Sequence, residues 1–415
     1  ASPTAALANC GAPGWAATTT QANYDGGDGG SVSVTNSGVV DVTGYAGSTT
    51  FGDTTVPVAL NAIGAFSLGG DGVAAKTDNH DYAGTGGDGG SVTVVNTGLI
   101  EVSGSVGVAA NGILAMSQGG VGSNREDYAF GLAGDGGAVS VTQSGTIVMT
   151  DGDQMVGITA LSIGGNSNDY SLFGGVNASP DASPAGTGGP VTVDLTAGSV
   201  IDIENGSGIG VVAVSAGGNA DNTAEGQGGS VTVTVKAGAS ISSLSGTATV
   251  TSYNMGILAV SAGAIGDLAP FASQDVNTAY PGTPGDVLVS NEGTITTDGT
   301  MAVGIAALSI GGASIVTNAS DGGTATLGNV ASGYAGFDGS SATIENRGTV
   351  TTLGATSHGL VAQSVGGGGG LLNIEDGTAT VYLGSQTTSA SGGGNGGAVK
   401  VVNTGTVTTG DTSGN

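Results

Sequence analysis

The phrase Gly89-Gly90-Ser91-Val92-Thr93-Val94-Val95-Asn96-Thr97-Gly98-Leu99-Ile100 occurs in eight versions along this chain, and that recurrence limits the fold more than any other property. A glycine pair leads out of a loop, and Val92 and Val94 alternate with polar neighbours at the period of a pleated strand. Asn96-Thr97-Gly98 then turns the chain into a second β-branched run. The other copies are GGSVSVTNSGVV from Gly29, GGAVSVTQSGTI from Gly136, GGPVTVDLTAGSV from Gly188, GGSVTVTVKAGAS from Gly228, PGDVLVSNEGTI from Pro284, GSSATIENRGTV from Gly339 and GGAVKVVNTGTV from Gly396.

Each copy but the last is answered by a second phrase: NAIGAFSLGG, NGILAMSQGG, VGITALSIGG, IGVVAVSAGG, MGILAVSAGA, VGIAALSIGG and HGLVAQSVGG. The circuit from opening to answer has room for three short strands and three turns. No single circuit can bury its own apolar face, but stacked circuits share one. The expectation is an all-β parallel β-helix, or β-solenoid, of about eight coils with variable glycine-rich inserts at one corner. Coils start near 29, 89, 136, 188, 228, 284, 339 and 396.

At 415 residues a globular chain would divide into domains, whereas a repeat array grows along one axis as a single elongated domain over 29–415. Glycine supplies 85 residues, but at fixed places in the repeat and beside abundant Val and Ile, which separates this chain from a disordered one. Five Lys and Arg against 32 Asp and Glu give a net charge of −27, which repels nucleic acid and anionic membranes and attracts cations. The single cysteine, Cys10, excludes an intrachain disulfide, and no apolar run reaches the length of a membrane-spanning helix.

Residues 1–28 do not read as the repeat and hold Cys10 and the only tryptophan, Trp15. They are expected either to cap the first coil or to dock on another molecule. The chain stops at Asn415, where the eighth answering phrase is due. Continuation beyond 415 in the native protein is the expectation, with completion of the coil by a neighbouring molecule as the alternative.

Two columns of polar residues follow from stacking. The turn position after the opening strand reads Asn36, Asn96, Gln143, Thr196, Lys236, Asn291, Asn346 and Asn403, and amides about 4.8 Å apart in successive coils can bond as a ladder. Thr196 and Lys236 fall in units whose turn is one residue longer. The answering phrase carries Ser67, Ser117, Ser162, Ser215, Ser261, Ser309 and Ser364. A nucleophile would occur once beside a base, so a serine in every coil is structural, bonding along the column or closing the turn.

The answering strand is apolar on both faces: the row Phe66, Met116, Leu161, Val214, Val260 and Leu308 backs the core row, turning polar only at Gln363. Something must cover it. The inserts that follow each answer hold most of the aromatics, including Tyr82, Tyr128, Tyr170, Phe173, Tyr280, Tyr334 and Phe337. These are expected either to fold back on that row or to form a contact surface for sugars or a neighbouring subunit. Asp28, Asp88 and Asp135 share one place in three successive coils, where mutual repulsion of about 1 kcal/mol per pair would be reversed by a bound calcium ion. The alternative is solvated turn aspartates, since the place becomes Thr187, Gln227 and Thr283 afterwards. Lys76, Lys236, Lys400, Arg125 and Arg347 are scattered over separate coils and the acid pairs lie on inserts, so no catalytic constellation is expected and no cofactor is called for.

The pairing of GGNGGAVKVVNTGTVTTGD from Gly393 with SHGLVAQSVGGGGG from Ser357 resembles the passenger repeats of glycine-rich bacterial autotransporters, the surface proteins of type V secretion. The resemblance runs from Gly29 to the end of the sequence. It implies a right-handed parallel β-helix exported to the cell surface, without a cofactor, serving adhesion, aggregation or biofilm. Its partners would be other copies of itself or cell-surface and matrix polymers. The C-terminal membrane barrel of such proteins is not in this sequence. The second expectation is a structural subunit of a filament, sheath or layer that assembles through the solenoid ends.

Overall fold

The computed structural model describes residues 5–10, 25–43, 48–51, 54–57, 60–73, 75–77, 80–125 except 105–108, 129–152, 154–166, 185–218, 226–245, 254–268, 282–299, 302–319, 324–327, 337–354, 357–366, 369–374, 380–383 and 394–410. Among them there is no helix, and the strands form three long parallel sheets that stack coil on coil. The opening strands are Val32–Asn36, Val92–Asn96, Val139–Gln143, Val191–Leu195, Val231–Val235, Val287–Asn291, Ala342–Asn346 and Val399–Asn403. The middle strands, two or more residues further on, are Val39–Thr43, Leu99–Ser103, Thr146–Thr150, Val200–Glu204, Ser240–Leu244, Thr294–Asp298, Thr349–Leu353 and Thr406–Gly410. The answering strands run from Leu60–Leu68 through Ala109–Gln118, Gln154–Ile163, Gly208–Ala216, Met255–Leu268 and Val303–Ala319 to His358–Val365.

Pairing in the opening and middle sheets keeps one register from coil to coil, so equivalent residues form straight columns. A slip of one residue would turn every inward Val to solvent, which is why the alternation fixes the register. The inward columns are Val92, Val139, Val191, Val231 and Val287 in the first sheet, Ile100, Ile147, Ile201, Ile241 and Ile295 in the second, and Ile113, Ile158, Val211, Ile257 and Ile305 in the third. All belong to one buried core that runs the length of the stack. Each such side chain contributes about 1.5–3 kcal/mol on leaving water. The answering strand approaches the middle sheet closely at a recurring step of the repeat: a Cβ on Gly112 would lie 2.8 Å from Ile147 Cγ2. Glycine is required there by contact, not by dihedral angle.

Ala5–Cys10 adds one more strand to the answering sheet, parallel to Leu60–Leu68, with Asn9 at the register position of Ser67. The answering sheet therefore begins one coil before the other two sheets among the described residues. At the opposite end, Val399 and Val401 are 51% and 49% exposed, whereas Val231 and Val233 of the same columns are fully buried.

Candidate functional site

The recurring serines and amides, the most regular polar chemistry in the chain, both resolve into fastenings. Ser162 Oγ donates to Gly137 O at 2.7 Å and accepts from Gly189 N at 2.8 Å. Gly137 opens the same coil and Gly189 opens the next one. The same pair of bonds is made by Ser67, Ser117, Ser215, Ser261, Ser309 and Ser364. The serines thus bond across the corner to the opening backbone, neither along their own column nor within one turn. Each hydroxyl satisfies one backbone carbonyl and one N–H that the glycine corner leaves outside the sheet ladders. In most coils the first glycine of the opening pair makes room for it: a Cβ on Gly136 would stand 2.7 Å from Ser162 Oγ.

The amide ladder is real but interrupted. Asn36 Nδ2 donates to Asn96 Oδ1 at 2.8 Å and Asn96 Nδ2 to Gln143 Oε1 at 2.9 Å. Further up, Asn291 donates to Asn346 at 2.7 Å and Asn346 to Asn403 at 2.8 Å. Between the two runs the register places Leu195 and Val235 in the column, not Thr196 and Lys236, and both are fully buried. The extra turn residue is absorbed at Gly198 and Gly238, each at φ +84°. The column turns apolar there, and Gln143 Nε2 is left buried without a partner.

The aspartate column is used by the backbone. Asp28 Oδ1 accepts from Asp88 N at 3.0 Å, Asp88 Oδ1 from Asp135 N at 2.8 Å and Asp135 Oδ1 from Thr187 N at 2.7 Å. Asp286 and Asp338 do the same for Ser341 and Asn395. These bonds run along the stack and offset the repulsion between neighbouring carboxylates. No group of three or more His, Cys, Asp or Glu stands together as a metal site among the described residues.

The inserts depart from and return to one corner as extended, glycine-rich arms, and outgoing and returning arms interleave. Gly70 N donates to Gly27 O, Gly87 N to Gly70 O, Gly120 N to Gly87 O, Gly134 N to Gly120 O, Gly165 N to Gly134 O and Gly186 N to Gly165 O, all at 2.8 or 2.9 Å. The packing is backbone on backbone: a Cβ on Gly120 would collide with Gly70 O, and one on Gly134 with Gly87 O. In later coils the arms become sheet. Val303–Ala319 continues past the core and pairs with Gly369–Ile374, and Thr324–Leu327 pairs with Thr380–Leu383. In the second and first inserts the chain folds as antiparallel hairpins, Asn124–Arg125 with Ala129–Phe130 and Ala75–Thr77 with His80–Tyr82. Together the arms make a fin along one side of the solenoid.

The outer face of the answering sheet carries a second buried cluster, including Val212, Val214, Leu258, Val260, Ala306 and Leu308. The outer row is covered in the coils of Val214, Val260 and Leu308 and half-buried at Phe66, Met116 and Leu161. Of the seven aromatics expected to cover it or to face a partner, Phe337 is half-buried, Tyr82 ends the hairpin of the first insert, and Tyr128, Tyr170, Phe173, Tyr280 and Tyr334 lie outside the described residues. The acid pairs Glu126-Asp127 and Glu375-Asp376 also lie outside them. His358 is exposed at the start of an answering strand. Arg347 pairs with Glu345 at 2.7 Å, and Lys400 reaches the same Glu345 at 3.6 Å on an exposed face of the opening sheet.

The fold and these fastenings define a parallel β-solenoid. No family model matches the chain, no curated protein matches it, and no solved structure matches it. No helix among the described residues is long and apolar enough to cross a membrane.

Proposed function

We propose that this chain is a non-enzymatic, extracellular bacterial surface protein in which a stiff solenoid carries a contact surface on its insert-bearing side. The observation that carries this reading is the fin. Arms from successive inserts interleave by backbone hydrogen bonds, so the described bases of the inserts lie together on one side of the stalk. The recurring Ser, Asn and Asp side chains are engaged in holding coils to one another, which supports a structural role for them. The partners are matrix or cell-surface polymers and other copies of the chain, and the location is the bacterial cell surface. The resemblance of the repeats to autotransporter passengers supports the same reading.

A second reading is a filament or layer subunit joined through solenoid ends, where the in-register stacking of the coils would carry on from one chain to the next. Negative-stain electron microscopy of the purified chain, with and without millimolar calcium, separates the two. Short single rods that coat and clump bacterial cells are expected of the adhesin. Long unbranched fibres would place the function at the ends instead.

A further inference from the structure

We propose that the solenoid core binds an internal water molecule between Thr297 and Thr352. The inward position near the end of the middle strand reads Val42, Val102, Met149, Ile203, Ser243, Thr297, Thr352 and Thr409 along one in-register column. The first four are apolar and the last four are hydroxyls. Valine, which matches threonine in shape, occupies the same column at Val42 and Val102. Strand geometry and volume therefore do not require a hydroxyl at 297 or 352.

Both residues are fully buried, and neither Oγ1 has a hydrogen-bond partner within the protein. Buried polar side chains are almost always partnered, and an ordered water is the usual partner when the protein supplies none. The geometry suits one. Equivalent atoms on adjacent rungs stand about 4.8 Å apart. A water about 2.8 Å from each hydroxyl spans that gap at an angle of about 120°, within the range a water accommodates. The facing corner column reads Met155, Gly208 and Asn254 in the earlier coils and the small residues Ala302 and Ser357 in the coils of Thr297 and Thr352. The corner has also become polar, with Ser243 Oγ donating to Gly208 O at 2.9 Å and Asn254 Oδ1 accepting from Gly208 N at 2.8 Å.

Water fits better than a cation, because the carboxylate of Asp298 directs Oδ1 to the N–H of Ser245 and to Asn254 Nδ2. The other two unpartnered buried atoms, Gln143 Nε2 and Ser199 Oγ, also come from successive coils at one corner, where Thr196 N meets Gln143 O and Val200 N meets Gly145 O. All four such atoms among the described residues thus fall into two pairs one coil apart, the arrangement a bridging water resolves.

The test combines a crystal structure of the wild-type chain, at a resolution that shows ordered waters, with thermal unfolding of T297V, T352V, T297V/T352V and T352S. Density for a water within hydrogen-bond distance of both hydroxyls is expected. Each valine variant should lower Tm, the double variant should lower it by less than the sum because one bridge is lost only once, and T352S should keep the water. A dry gap in the wild-type structure overturns the proposal. So does a rise in Tm on T352V, which is what removing a dry, unpartnered hydroxyl would give. Should a valine variant not fold, the wild-type density decides alone.

Discussion

Replacing Ser162 with alanine isolates one fastening of the fold from all others. The hydroxyl sits fully buried in the third of the recurring coils, with coils stacked on either side. Its loss leaves Gly137 O and Gly189 N without the bonds they make at 2.7 and 2.8 Å. An orphaned buried backbone group costs about 1–3 kcal/mol, so the two together set a ceiling of about 6 kcal/mol. Relaxation of the glycine corner and relief from burying the hydroxyl lower this to about 2–4 kcal/mol. Because solenoid stability is a sum of coil and interface terms, the defect should also loosen the junction between the third and fourth coils before the rest. Urea unfolding gives the free energy, and hydrogen exchange at the Gly189 amide gives the location. Thr93→Ala on the exposed face of the opening strand is the control and should stay within about 0.5 kcal/mol of wild type. A Ser162→Ala variant as stable as that control, or one whose Gly189 amide stays protected, would refute the fastening.

Three further outcomes follow from the same geometry. Gly134→Ala drives a Cβ into Gly87 O and should cost about 3 kcal/mol or more in thermal or urea unfolding, whereas Gly198→Ala, with open space around its Cβ at φ +84°, should cost only the left-handed strain of about 1–2 kcal/mol. Asn346→Leu removes the acceptor of the buried Asn291 amide and should destabilise by about 1–3 kcal/mol in urea unfolding; the column already holds a leucine at Leu195, the neighbour of Gln143, and there Gln143 Nε2 has no partner within the protein. Asp88→Asn keeps an acceptor for Asp135 N and should leave the melting temperature near wild type, and chelation of divalent cations should leave the wild-type melt unchanged; a fall of several degrees on chelation would assign the aspartate column to a metal.

The coil pattern is legible because the Gly-Gly signal, the Val and Ile alternation and the fixed serine each recur at one place per turn of the stack, and period-two alternation leaves only one face for the core. The ladder is legible in position but not in register. Placing Thr196 and Lys236 in one column with Gln143 assumes equal turns, and the added residue instead moves Leu195 and Val235 into the column. The strand Ala5–Cys10 is hidden because Asn9 and Cys10 stand where Ser67 and Leu68 stand, so the answering phrase loses its marker while keeping its pairing. The serine's partners are out of reach for a different reason: they are backbone groups of two glycines far away in sequence, and only the stacking brings them to one hydroxyl. The interleaving of arms is equally invisible, since a glycine run specifies close approach but not the chain it approaches.

Which side of the stalk makes contact is the central question, and one face can be blocked at a time without disturbing the fold. In a Cys10→Ser background, a single cysteine is placed either at His80 in the first insert hairpin or at Thr234 on the outer face of an opening strand, and each is coupled to a bulky maleimide polymer. Adhesion of protein-coated beads to bacterial cells and matrix should be lost with the polymer at position 80 and retained with it at position 234. Adhesion that survives at 80 and disappears at 234 would contradict the proposed function and move the contact surface to the bare faces of the solenoid.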